Sequence, residues 1–201
     1  MPNVYDFDKT IVYPDSGAAF FGFCLRRHPR LLRYLPGLCL ELLRFALRSK
    51  RPAPFKAEYY GFLRGLPDWE EEVRLFWETK ADALLKPWYL TQKRPDDIIV
   101  SCSGEYLLGP LCQRLGVRLV GTRVNTATGR LESFSCYGEE KVRRLRQALG
   151  AAENGDALID EFYSDSLSDA HLAALARRAF LVKGDARGPW PGMEHDGDSA
   201  L

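Results

Sequence analysis

Short apolar runs alternate with stretches of helical periodicity along most of this chain. Five of the runs have the length and composition of buried strands, namely residues 3–7, 98–100, 117–120, 157–160 and 179–182. Helical spacing separates the last four runs, over residues 105–115, 138–149 and 169–178. Because strands that alternate with helices usually pair in parallel, this pattern predicts an α/β fold with a doubly wound parallel sheet.

The region between residues 14 and 92 differs, because none of its apolar residues alternate as they do in a strand. Its spacing predicts helices over residues 18–27, 31–50, 55–63 and 69–85. Asp68 is the candidate N-cap of the last helix. We therefore predict an α/β core of residues 1–13 and 93–186, an inserted all-helical cap of residues 14–92, and a flexible tail of residues 187–201. Loose order should begin shortly before this tail, at Gly184.

The composition narrows the class of protein. With 201 residues, of which 46% are hydrophobic and 27% charged, the chain can bury a globular core. A net charge of +1 gives no reason to expect a nucleic-acid partner. The five cysteines are scattered without paired spacing, which favours a reducing compartment over disulfides or a zinc site. Since we find no signal peptide and no apolar stretch of about 20 residues, we expect a cytoplasmic protein without a transmembrane segment.

Basic residues are concentrated between residues 11 and 60, where there are nine arginines and lysines but only three acids. The simpler interpretation is a packed helical segment whose arginines are solvated. The alternative is a surface that meets an anionic or lipid-bearing substrate, because basic amphipathic helices bind anionic lipid surfaces. Peripheral contact with a membrane therefore stays open, and the pattern does not determine the oligomeric state.

Polar residues suited to one site follow three of the predicted strands. They are Asp6, Asp8 and Thr10 after the first strand, Ser101 after the second, and Asp165 and Asp169 after the fourth. Lys141 stands near the start of helix 138–149. Because the C-terminal ends of parallel strands lie at one edge of a sheet, we expect these residues to converge there. Carboxylates, a hydroxyl and an ammonium are the groups that hold a divalent cation and a phosphate together.

Several of these assignments have competitors nearby. They are Ser103 for Ser101, the basic residues Arg143, Arg144 and Arg146 for Lys141, and the acidic pair Asp160-Glu161 for Asp165 and Asp169. We favour the serine that directly follows the apolar run, and the lysine because of its Gly-Glu-Glu-Lys context. The spacing from strand to loop favours the two later aspartates.

Taken together, these motifs resemble those of the haloacid dehalogenase superfamily, in its phosphoserine-phosphatase-like branch with a helical cap after the first motif. The motifs are Asp6-Phe7-Asp8-Lys9-Thr10, the apolar run ending in Ser101, Gly138-Glu139-Glu140-Lys141-Val142 and Asp165-Ser166-Leu167-Ser168-Asp169. The resemblance implies the family's Rossmann-like core with an inserted cap. Asp8-Lys9-Thr10 also resembles a motif of cation-pumping ATPases, but that motif continues with Gly-Thr, and Ile11-Val12 follow here.

The resemblance implies a phosphatase that acts through an aspartyl-phosphate intermediate. Asp6 would be the nucleophile, and Asp8 would be the general acid and then the general base. A magnesium ion would be held by Asp6, by the main-chain carbonyl of Asp8 and by Asp165.

The remaining motif residues would bind phosphate or hold the site in place. Ser101 and Lys141 would contact the phosphoryl oxygens, and Thr10 would hold the loop after the first strand. Asp169 would act beside the metal or orient the lysine. Asp15 would meet a group of the substrate.

The substrate is left open by the sequence. A phosphorylated small molecule and a lipid head group are both candidates, because residues 26–32 and 162–166 are similar to bacterial phosphatidylglycerophosphatase C-type proteins. Two other functions remain in competition with hydrolysis. One is a phosphotransferase or phosphomutase that shares the aspartyl-phosphate step, and the other is a non-catalytic member that only binds a phosphorylated ligand.

Overall fold

The computed structural model describes residues 1–37, 60–151 and 158–193. Most of the helical pattern predicted over residues 31–50 and 55–63 lies outside these ranges. Near the start of the first of these predicted helices and near the end of the second, the structure has 3₁₀ helices, Pro29–Tyr34 and Tyr60–Gly65.

A six-stranded sheet forms the centre of the molecule, in the order β3-β2-β1-β6-β7-β8. Its strands are β1 Val4–Tyr5, β2 Ile98–Gly104, β3 Arg118–Thr122, β6 Ile159–Ser164, β7 Ala176–Lys183 and β8 Ala186–Pro189. All neighbours pair in parallel except β7 and β8. A separate antiparallel pair consists of β4 Val124–Asn125 and β5 Arg130–Leu131. The predicted α/β class with a mainly parallel sheet is therefore confirmed.

The helices of the described residues have capping residues at several of their ends. They are α1 Ser16–Arg27, α2 Trp69–Leu84, α3 Pro87–Gln92, α4 Glu105–Leu115, α5 Glu139–Leu149 and α6 Ala170–Ala173. Asp68 caps α2 by accepting a hydrogen bond from the Glu71 N–H at 3.1 Å. Gly116 and Gly150 end α4 and α5 at φ values of 70° and 63°, a conformation that glycine adopts without a Cβ clash.

The sheet separates two hydrophobic clusters, because successive residues of a strand point to opposite faces. Val4 belongs to one cluster and Tyr5 to the other. The cluster around Tyr5 also contains Phe20 of α1 and Trp77 of α2, so the helical insertion and the sheet share a core. The indole N–H of Trp77 donates to the main-chain oxygen of Leu107 at 2.6 Å, which ties α2 to α4.

Two predictions about the C-terminal part are wrong. The helix predicted over residues 169–178 is limited to α6, because the chain from Ala176 onward pairs with β6 and forms strand β7. The prediction of loose order from Gly184 fails for residues 186–190, where β8 pairs with β7. Trp190, just beyond β8, is buried against Phe162, with ring centroids 5.9 Å apart. Long-range pairing and burial decided both outcomes, and neither leaves a local signal in the sequence.

Candidate active site

The loop after β1 places the first motif at the carboxyl edge of the sheet. The Asp6 N–H donates to the main-chain oxygen of Tyr163 at 2.8 Å, which continues the pairing of β1 with β6. The chain then turns around Phe7, whose main-chain oxygen accepts from the N–H groups of residues 10–12. Within the described residues, Lys9 in this turn is the only non-glycine residue with a positive φ, at 57°. Asp6 and Asp8 thereby acquire separate surroundings.

Lys141 bridges two buried carboxylates. Its ammonium lies 2.8 Å from Oδ1 of Asp6 and 2.8 Å from Oδ2 of Asp169, and the side chain is 3% exposed. Ser164 donates from its hydroxyl to the same Asp169 oxygen at 2.8 Å. These contacts fix the lysine between the first motif and the last one.

The charges in this cluster support each other. Burial by itself lowers the pKa of Lys141, but the carboxylates of Asp6 and Asp169 outweigh burial and raise the pKa well above its usual value. Burial raises the pKa of Asp6, and the nearby ammonium opposes that rise. The lysine therefore remains positively charged between the two carboxylates.

Asp8 is held by two donors from different elements. The N–H of Ser16, at the start of α1, donates to Oδ1 at 2.6 Å, and the hydroxyl of Ser103 donates to Oδ2 at 2.5 Å. Burial and the neighbouring Asp15 raise the pKa of Asp8, and the hydrogen bonds with Ser103 and Ser16 lower it. A carboxyl group whose net pKa is raised is suited to donating and accepting a proton near neutral pH.

The two candidate serines have different partners. Ser101 is 1% exposed, and its hydroxyl oxygen accepts the Ser103 N–H at 3.1 Å. Its own hydroxyl proton has no acceptor among the hydrogen bonds of this loop. The pairing of β2 with β3 is irregular between Val100 and Gly104, so the serines lie on a distorted strand end that aims them differently.

Thr10 connects the first motif to the last one. Its hydroxyl oxygen accepts the Asp165 N–H at 2.9 Å and lies 3.4 Å from Oδ2 of Asp6. The Asp165 carboxyl is half-buried, and burial raises its pKa while Lys9 opposes that rise. The threonine is fully buried, so its contacts define the spacing between Asp6 and Asp165.

Oxygen donors that suit magnesium are present, although no acid cluster is. Within residues 1–37, 60–151 and 158–193, no three side chains of His, Cys, Asp or Glu form a group that could hold a metal ion. The predicted ligand set contains only two carboxylates, from Asp6 and Asp165, and its third member is the main-chain carbonyl of Asp8. Carboxylate and carbonyl oxygens are the ligands that Mg²⁺ prefers, so the donor chemistry fits.

Some candidates have partners outside this cluster. Asp15 caps α1 by accepting the Ala18 N–H at 2.8 Å, so its carboxylate already has a structural partner. Asp160 lies 3.8 Å from Arg94, and Glu161 pairs with Arg178. Arg144 donates to the main-chain oxygens of Gly121 and Phe134 and supports the fold, while Arg143 is paired with Glu140 at the surface.

Sequence reasoning missed three residues that contact the cluster. Ser16 and Ser164 hold Asp8 and Asp169 respectively, and Lys86 holds the turn at Lys9. Ser16 has one usable signal, since it directly follows the helix cap at Asp15. The other two carry no local signal, because their partners lie far away along the chain.

Comparison with known proteins identifies the family. Residues 4–174 match the family of haloacid dehalogenase-like hydrolases. The chain is 29% identical over 186 residues to protein CicA of Caulobacter vibrioides, covering 86% of this chain and 81% of that protein. It is 33% identical over 94 residues to a probable phosphatase of Mycobacterium tuberculosis, covering 45% of this chain and 32% of that one. The chain belongs to the haloacid dehalogenase-like hydrolase family, as the motifs predicted.

Solved structures share the fold. A protein of unknown function from Bordetella pertussis has a TM-score of 0.73 at 21% identity, covering 89% of this chain and 87% of that one. A phosphoserine phosphohydrolase-like protein from Francisella tularensis has a TM-score of 0.52 at 16% identity, covering 89% and 86%. These likenesses confirm the predicted fold. None of the helices in the described residues combines the length and apolar character that crossing a membrane requires.

Proposed function

We propose that this protein is a Mg²⁺-dependent phosphomonoester phosphatase that acts through an aspartyl-phosphate intermediate. The observation that carries the proposal is the bridge of Lys141 between Asp6 and Asp169, with Asp8 held separately by Ser103 and Ser16. One carboxylate is thereby paired with a permanent positive charge, and the other is kept in surroundings that favour proton exchange. This is the division of roles that a nucleophile and a general acid–base need.

In the first step, a carboxylate oxygen of Asp6 attacks phosphorus, and the bond between phosphorus and the leaving oxygen breaks. Asp8 donates its proton to that oxygen, so the alcohol departs neutral. The hydroxyl of Ser101 and the ammonium of Lys141 stabilise the negative charge on the phosphoryl oxygens. Asp169 keeps the ammonium in place throughout.

In the second step, Asp8 removes a proton from water, and the resulting hydroxide attacks phosphorus. The bond between phosphorus and the Asp6 oxygen breaks, which releases inorganic phosphate and regenerates both carboxyl groups. Thr10 keeps Asp6 and Asp165 at their spacing through its hydrogen bonds to both residues.

A magnesium ion would be held by Asp6, the main-chain carbonyl of Asp8 and Asp165. When bound, it supplies positive charge that neutralises the phosphate and favours the ionised form of Asp6. We expect chelation with EDTA to reduce hydrolysis of p-nitrophenyl phosphate to background, and excess Mg²⁺ to restore it. Full activity after exhaustive chelation, with residual metal checked by elemental analysis, would contradict the metal requirement.

The contacts of the two serines predict different kinetic effects. Ser103→Ala removes a donor from Asp8, so we expect kcat to fall about tenfold with little change in KM. Ser101→Ala removes a proposed phosphate ligand, so KM should rise and kcat/KM should fall more than in Ser103→Ala. Steady-state kinetics with p-nitrophenyl phosphate measure both. The reverse pattern would assign phosphate binding to Ser103.

The substrate is either a small phosphorylated metabolite or a phosphorylated lipid head group. A panel of soluble phosphomonoesters, run beside phosphatidylglycerophosphate in vesicles, distinguishes them. Turnover of soluble esters with no binding to anionic vesicles would rule out the lipid. Preferential phosphoryl transfer to an added alcohol or sugar over water would indicate a phosphotransferase.

A further inference from the structure

Lys86 is a buried ammonium outside the sequence motifs discussed so far. It directly precedes α3, and its side chain is among the largest fully buried ones, at 1% exposure. Its ammonium donates to the main-chain oxygens of Lys9 and Gly184, each at 2.6 Å. Lysine is rarely buried to this extent unless it is paired, and here both hydrogen-bond acceptors are loop carbonyls.

The first of these carbonyls belongs to the strained residue of the catalytic loop. Lys9 lies between Asp8 and Thr10 and has a φ of 57°, a region that L residues seldom occupy. Its N–H donates to the main-chain oxygen of Pro14 at 3.2 Å, and its carbonyl accepts from Lys86. The turn is therefore held at both of its polar main-chain atoms.

Lys86 also lies where the helical insertion rejoins the core. Its N–H donates to the main-chain oxygen of Ile11 at 2.9 Å, and the Tyr13 N–H donates to that of Leu84 at 3.0 Å. Val12 and Leu85 form an antiparallel bridge between the segment that follows the first motif and the segment that precedes α3. Through its ammonium, Lys86 also connects this junction to the loop after β1, at Lys9, and to the turn between β7 and β8, at Gly184.

Two carboxylates and an aromatic ring lie around the ammonium. Burial lowers the pKa of Lys86, and the carboxylates of Asp185 and Asp165 oppose that change. The ring of Tyr13 lies 5.5 Å from the ammonium, within the range of a cation–π contact. A charged donor makes stronger hydrogen bonds to carbonyls than a neutral one.

We propose that Lys86 is a positioning residue: through the carbonyl of Lys9 it holds the turn that sets Asp8 and Thr10 relative to Asp6. This inference rests on the proposed phosphatase function. Small displacements of reacting groups cost large factors in rate, whereas substrate binding depends mainly on the phosphate ligands elsewhere in the site. Loss of the ammonium should therefore affect kcat more than KM.

The test compares Lys86→Met with Lys93→Met. Lys93 is a matched control, because its ammonium also donates to a main-chain carbonyl, that of Leu115 at 2.9 Å. That contact lies at the C-terminal residue of α4, before β3 begins, at the opposite edge of the sheet. We expect Lys86→Met to lower kcat roughly 10- to 100-fold with less than about a threefold change in KM. Lys93→Met should leave both constants close to wild type.

Hydrogen–deuterium exchange provides a readout that does not depend on turnover. The N–H groups of residues 10–12 all donate to the Phe7 oxygen, so they report directly on the turn. They should exchange faster in Lys86→Met and remain unchanged in Lys93→Met. If Lys86→Met does not fold, Lys86→Arg keeps the charge with altered geometry and should show the same pattern to a smaller degree.

The outcomes separate the two proposals. A wild-type protein without metal-dependent turnover would overturn the phosphatase function, and the exchange of residues 10–12 would still decide the role of Lys86. An active wild type in which the Lys86 and Lys93 variants have equal kcat and equal exchange would overturn the positioning role. A rise in KM with unchanged kcat would do the same.

Discussion

Replacing Asp6 with asparagine is expected to reduce kcat by at least about 10⁴-fold, because an amide cannot form the acyl phosphate. Asparagine has nearly the same shape, and its amide oxygen can still accept from Lys141, which keeps its second contact with Asp169. Burial raises the pKa of Asp6, so a neutral side chain is well tolerated at this position. The loss should therefore appear in turnover, with the fold intact.

Initial rates with p-nitrophenyl phosphate and Mg²⁺ measure this loss, and thermal unfolding checks the fold. Asp160→Asn is a matched control, because Asp160 is also an aspartate of this sheet but lies near Arg94 at 3.8 Å. Its rate should match wild type. An Asp6→Asn protein as active as wild type would refute the proposed nucleophile.

Replacing Lys141 with methionine should affect both activity and stability. The variant leaves the carboxylates of Asp6 and Asp169 buried without their shared cation. Removing one partner of a buried ion pair typically costs about 3–5 kcal/mol in the free energy of unfolding. Loss of one preorganised charge in the site typically costs about 10²–10³-fold in kcat. We expect losses of this order in both quantities at neutral pH.

The stability loss should also depend on pH. Without the ammonium, which opposes the effect of burial, the pKa of Asp6 in the folded protein rises further above that of the unfolded chain. A group of this kind favours the folded state below its unfolded pKa and destabilises it as pH rises through the folded pKa. The difference between Lys141→Met and wild type should therefore shrink as pH is lowered from 8 toward 5.

Urea unfolding at several pH values measures this difference. Arg143→Met is the control, since Arg143 lies on the same helix, is 62% exposed and pairs with Glu140. A surface pair of this kind contributes little to the free energy of unfolding, so the control should be nearly neutral. A Lys141→Met protein with wild-type turnover would remove the residue from the proposed mechanism.

Local patterns in the sequence were sufficient for much of the architecture. Apolar runs and helical periodicity predicted the parallel sheet, and Asp68 and the helical spacing over residues 105–115 and 138–149 predicted helix ends that the structure confirms. The same patterns correctly predicted a strand over residues 179–182 but failed at residues 176–178 and 186–190. There, strand pairing and the burial of Trp190 outweigh local preference.

The candidate site shows the same division. The motif residues Asp6, Lys141 and Asp169 were selected from the sequence, and the structure brings their charged atoms together. Their chemical roles remain proposals that the variants above test. The choice between Ser101 and Ser103 was open in the sequence because the two residues are neighbours with the same hydroxyl group. In the folded chain β2 lies beside the loop after β1, so the Ser103 hydroxyl donates to Asp8, whereas the Ser101 hydroxyl oxygen accepts the Ser103 N–H.

By itself, the sequence determined the α/β class and the family and indicated the residues of the proposed site, because each leaves a signal within a short stretch of chain. The tertiary structure alone decided which groups hold those residues in place. Ser103 reaches Asp8 across 95 positions, and Lys86 reaches Lys9 across 77. Contacts over such distances depend on how strands and linkers pack together. A buried ammonium on a loop carbonyl therefore becomes visible only in the folded chain.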